Sequence, residues 1–180
     1  MLRQIGLEFV VDVPRVEENA AELRHMPPGT IALELAKKKV RQIADKYQEA
    51  VILGADTIVV LAGRILGKPN NEAQAKEMLA MLSGRTHEVF TGFAILKLPE
   101  QTWLTDVERT AVTFRTLSEQ EIEDYIRTGH PMDKAGAYGI QDESAVFVEK
   151  IEGCFYNVVG FPLSRFYQVC KANFLTHNEE

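Results

Sequence analysis

A chain of 180 residues with 46% apolar and 26% charged side chains has the make-up of a folded protein, either one domain or a compact two-lobed one. No apolar run reaches the roughly 18 residues that span a bilayer and no basic-then-apolar leader is visible, which predicts a cytoplasmic protein with no membrane partner. A formal net charge of −6 argues against a nucleic-acid partner, yet leaves room for a small anion held by a local group of Lys and Arg.

The chain opens with "MLRQIGLEF", which reads as a last helical turn stopped by Gly6 and followed by a strand at Phe9–Val13. Residues 16–29, "VEENAAELRHMPPG", read as a polar loop. From Thr30 to about Tyr47 the spacing of Leu35, Ala36, Val40 and Ile43 predicts a helix with one apolar face. Val51–Leu61 is the first strong strand, and its lack of alternation predicts burial on both faces. Ala62-Gly63 then turns the chain into a short partner strand. Asn71, with Gln74 three residues on, caps a helix whose stripe is Ala75, Met78, Leu79 and Leu82 and which ends at "SG". Two long strands follow at Glu88–Leu98 and Trp103–Arg115, joined by "PEQT". Ser118 and Glu121 form a capping-box pattern for a helix that Gly129 closes. A glycine-rich loop, "GHPMDKAGAYGIQDE", leads to strands predicted at Ala145–Ile151 and Phe155–Val159, and Pro162 opens a final helix. Interleaved helices with frequent hairpins predict an α/β fold with a mixed, twisted sheet flanked by helices.

Within this frame Asp56 stands out as the single carboxylate in "VILGADTIVVL". In an extended strand it shares a face with Gly54 and Ile58, while Thr57 faces the other way. An ionised carboxylate in a dry core costs several kcal/mol, so Asp56 requires a cation, hydrogen-bond donors or an open cleft. It reads either as a satisfied acid at a strand end or as a metal ligand or general base. Lys39, between Leu35 and Ile43, reads as a lysine that runs its stem along the apolar stripe or as an ammonium turned inward to phosphate. Lys68, in "LGKP", reads as surface decoration, or as a second positive charge near Asp56 in sequence. The small residues of "DKAGAYGIQ" let backbone approach a ligand, and Gln141 offers both donor and acceptor to a base edge, although the loop is neither a P-loop nor GxGxxG. Four scattered histidines and two cysteines without CxxC spacing make a histidine- or cysteine-bound metal unsupported. Ser83 reads as part of a helix stop, and Glu17 and Glu18 as loop charges able to turn inward.

Taken in order, "LAKKKV", "GADTIV", "GKP", "LSGRTHEVFTG", "TFRTLSEQEI", "PMDKAGAYGIQ" and "NVVGFPL" resemble the Maf family along essentially the whole chain. The resemblance implies an ITPase-like, two-lobed α/β fold with a central cleft. It also implies a nucleoside triphosphate pyrophosphatase that releases diphosphate and uses a divalent cation, Mg²⁺ or Mn²⁺. "GAYGIQ" is similar to the subgroup acting on dTTP and UTP, rather than the one acting on 7-methyl-GTP. By the same match Asp56 is the proton acceptor or metal-associated acid, and Glu18 an acid near the metal. The match also implies that Lys39 and Lys68 contact phosphate and that Thr57 and Gln141 select the base. A homodimer is the family expectation. The family's opening strand and SxSPRR loop are not in this sequence, so the reading is one Maf-like domain over residues 1–180, shortened at its N-terminus. A second reading is a nucleotide-binding protein of septum formation without useful catalysis.

Overall fold

The computed structural model describes residues 1–14 and 25–175. Helix α1 (Pro28–Ala44) begins two residues before the predicted Thr30 because Pro28 occupies the first turn, where a missing N–H breaks no helical bond. It stops at Ala44 rather than Tyr47, and the Lys46 and Tyr47 amides close single turns onto Ile43 and Ala44 at 3.0 and 3.1 Å. Strand β1 (Ala50–Leu61) turns through Ala62 and Gly63, both at positive φ, into β2 (Arg64–Leu66), with Leu61 opposite Arg64. Two successive positive φ values match the twist of a tight antiparallel hairpin. The remaining elements are α2 (Glu72–Leu82), β3 (Thr86–Leu98), β4 (Thr102–Phe114), α3 (Glu119–Arg127), β5 (Val148–Glu152), α4 (Phe155–Val159) and α5 (Leu163–Cys170). The strands form one sheet in the order β2-β1-β3-β4-β5, so the fold is the expected mixed α/β class with helices against a sheet.

The residues group into two compact units, Met1–Asp56 with Thr91–Glu108 and Gly160–Glu180, and Thr57–Phe90 with Arg109–Val159. In the first unit β3 shows why its apolar run does not alternate. Ala94 and Leu96 pack with Ala36, Val40 and Ile43 of α1, whereas Phe93 and Ile95 pack with Phe161, Leu163 and Phe166. Each face is therefore covered by a helix. Two glycines let α1 come this close. A Cβ on Gly54 would stand 2.7 Å from Val40 Cγ2, and one on Gly92 would stand 2.5 Å from the backbone nitrogen of Leu33. In the second unit Leu79 and Leu82 of α2, Ile122 and Tyr125 of α3, and Val59, Val112 and Phe114 of the strands share one core. Its helices are capped as predicted. Asn71 Oδ1 accepts the Gln74 amide at 2.9 Å, and Ser118 and Glu121 form the reciprocal capping box. Ser83 serves as a tie, its Oγ accepting the Leu117 amide at 2.8 Å.

Three predicted strands need correction. Phe9–Val13 has no regular structure, and Val10, Val11 and Val13 are exposed. β-branched residues favour a strand only where a pleated neighbour exists to pack against. That segment is tied instead by Asp12, which accepts from Lys46 Nζ at 2.9 Å. Phe155–Val159 is the helix α4, because the buried Asn157 side chain anchors it by donating to Val89 O and Thr110 Oγ1, each at 3.0 Å. The strand expected from Ala145 starts at Val148, since the Asp142 carboxylate accepts the Ser144 amide and winds Glu143–Phe147 into a short 3-10 turn. The polar-loop reading over 16–29 falls largely outside the described residues.

Candidate active site

The alternation of β1 decides where Asp56 points. Leu53 and Ala55 pack on the face shared with Phe93 and Phe161, so Gly54 and Asp56 lie on the face toward α1. Lys39 immediately precedes Val40, the residue seated over Gly54. Close packing at that glycine thus brings the lysine within reach of the acid two residues further along the strand. Asp56 is only 7% exposed, and Lys39 Nζ donates to its Oδ1 as well as to the Ala55 carbonyl at 3.3 Å. The ammonium supplies the opposite charge that burial of a carboxylate demands. The head of Lys39 is turned onto Asp56 and keeps partial contact with solvent. Lys37 pairs with Glu34 at 2.8 Å and takes no part.

Thr57 follows Asp56 on β1 and belongs to the second unit, as do Lys68 and Gln141. Lys68 is exposed in the turn after β2, and Gly67 O in that turn accepts the Gly136 amide at 3.0 Å. The turn carrying Lys68 is therefore stitched to the glycine-rich loop. Gly136 takes φ +72° at a place where a Cβ would stand 3.0 Å from Val59 Cγ1, so the loop lies directly on β1. Gln141 is exposed on that loop. Glu18 lies outside the described residues. The structure thus brings Lys39 to Asp56, and the Lys68 turn to the Gln141 loop.

Sequence reasoning passed over two residues of the second unit. Lys134 Nζ donates to Asp133 Oδ1 at 2.7 Å and to His130 O at 2.6 Å. The Asp133 carboxyl is held below its usual range, chiefly by that lysine, with a smaller pull from Lys68. Its signal was the adjacent "DK" inside a loop otherwise made of small residues. His87 is buried with Nε2 2.8 Å from Tyr138 Oη, its ring edge-on to Phe114 and Tyr138. Burial pushes its pKa down to about 4, so it packs as a neutral imidazole. Nothing in its spacing marked it.

Among the described residues no three His, Cys, Asp or Glu side chains gather into a metal cage. A magnesium-type cation needs no cage, because it keeps several waters and binds through one or two carboxylates plus substrate phosphate oxygens. A nearly buried Asp56 carboxylate, carried on strand β1, fits that mode of sharing. No described helix is long and apolar enough to cross a membrane.

The family model for Maf-like proteins matches residues 1–173. A protein of Dictyoglomus turgidum named dTTP/UTP pyrophosphatase is 50% identical over 165 residues, covering 92% of this chain and 85% of that one. Proteins of the same name from Moorella thermoacetica and Bacillus cereus (strain ZK / E33L) are 48% identical over 163 residues and 46% over 171. They cover 91% and 95% of this chain, and 83% and 87% of their own lengths. The two motifs that supply the Asp56–Lys39 pair are thus set in a chain matched almost from end to end, and the chain belongs to the Maf family.

Proposed function

We propose that this protein is a nucleoside triphosphate pyrophosphatase that hydrolyses dTTP and UTP to the monophosphate and diphosphate. The observation that carries the reading is the nearly buried Asp56 carboxylate in "GADTIV", held by the ammonium of Lys39. Relatives nearly half identical to this chain bear the name of that activity. In the reaction a water attacks the α-phosphorus, the bond to the β-phosphate bridge breaks, and diphosphate leaves. Asp56 takes the proton of that water, and its place on strand β1, paired with Lys39, lowers the cost of orienting a base. Lys39 and Lys68 bind phosphate oxygens, and Thr57 and Gln141 select the base. A Mg²⁺ or Mn²⁺ ion held by Asp56, with Glu18 as a second carboxylate, would neutralise charge on the triphosphate. The triphosphate is the partner this reading requires, in a cytoplasmic protein.

Asp56→Asn tests the assignment, because it keeps shape and removes the base. Diphosphate release falls by about 100-fold or more, in the range of lost general-base catalysis, while circular dichroism and the melting transition stay cooperative. Undiminished release by a folded Asp56→Asn protein would sink the role.

A further inference from the structure

Gln141 stands in the second unit at the tip of a built turn. The Asp142 amide donates to Gly139 O at 3.0 Å, which leaves Ile140 and Gln141 as the two central residues. Ile140 is buried and Gln141 exposed, so one side chain anchors the turn and the other is displayed. Ser144, fully buried, clasps the base of this turn. Its Oγ donates to Gly139 O at 2.8 Å, accepts the Gly139 amide at 3.2 Å and lies 2.9 Å from Asp142 Oδ1. Asp142 is held in turn by the Ser144 amide at 3.0 Å and by the Tyr125 hydroxyl, 3.1 Å from both carboxylate oxygens. Burial raises the Tyr125 phenol above its ordinary range, so it remains a donor. Lys134 Nζ, 3.7 Å from Asp142 Oδ2, closes the ring over Gly139, where a Cβ would stand 2.6 Å from Lys134 Cε.

We propose that Ser144, with Asp142 and Tyr125, is a positioning residue that holds Gln141 ready for the base and so sets base preference. The inference rests on the reading of Gln141 as a base-selecting group. A displayed glutamine has several free torsions, and discrimination by a polar contact is strong only when its backbone is held in advance. The clasp touches no phosphate-binding lysine by its serine and tyrosine. Its loss therefore moves preference and KM rather than the chemical step.

The test compares Ser144→Ala, Tyr125→Phe, Ser144→Thr and Gln141→Ala for kcat and KM on dTTP, UTP and dCTP, with amide hydrogen exchange followed at residues 140–142. Ser144→Ala and Tyr125→Phe lower the dTTP-over-dCTP preference about tenfold through KM, keep kcat within about twofold and speed exchange. Ser144→Thr, which keeps the hydroxyl, restores both readouts. Should Ser144→Ala not fold, Tyr125→Phe carries the same comparison, since it keeps the ring. Unchanged preference in the folded variants, alongside lost preference in Gln141→Ala, overturns the clasp and leaves the reading of Gln141 standing. Unchanged preference in Gln141→Ala overturns that reading and this proposal with it.

Discussion

Asp56 and Lys39 are seventeen positions apart, and the fold pairs them. The acid could be placed on its face of β1 from alternation alone. Its partner could not, because the contact depends on α1 seating Val40 over Gly54, which no local pattern announces. On the proposed reading Lys39 serves both the acid and the phosphate. Lys39→Met therefore raises KM for dTTP and costs about 1–3 kcal/mol of stability, measurable by denaturant titration beside the kinetics. His87 makes a different prediction. Its folded pKa of about 4 lies below the ordinary 6.5, so the unfolded chain binds more protons between those values. The contribution is complete above pH 6.5 and is lost as pH falls toward 4, amounting to about 3 kcal/mol over that window. Denaturation of wild type and His87→Gln at pH 7, 5.5 and 4.5 measures it; equal slopes in both proteins would contradict it.

Elements announced themselves in the sequence where they carry their own punctuation. The Asn71 and Ser118 caps, the Ala62-Gly63 turn and the long apolar strands are local signals, and each is found where it was expected. Ser118→Ala accordingly costs about 1 kcal/mol, read as a lowered melting temperature with activity retained. "FYNVV" was misleading because its side chains favour a strand, while the deciding contact is the distant anchorage of Asn157 to Val89 and Thr110. The same non-local logic governs Gly92, whose missing side chain looks unremarkable in "FTG" yet lets α1 lie on β3. Gly92→Ala forces a Cβ into helix backbone and destabilises by about 1–3 kcal/mol or more. Because it lifts the helix that carries Lys39, activity falls with it; a variant as stable and active as wild type would contradict the packing described.

For the molecule as a whole, class and family were legible because seven short motifs recur in order along the chain, and no single one would have sufficed. Which residues make up each compact unit was not, since three stretches of sequence assemble one unit and two the other. Such pairings are made by long-range contacts, and periodicity reports only on neighbours. The central claim is an activity, and product analysis of the wild-type protein tests it most directly. Incubated with dTTP, UTP, dCTP, ITP and XTP in the presence of Mg²⁺ or Mn²⁺, the protein releases diphosphate and monophosphate in equal amounts, fastest from dTTP and UTP. Binding of these nucleotides without turnover, or a preference for ITP or XTP, would contradict it.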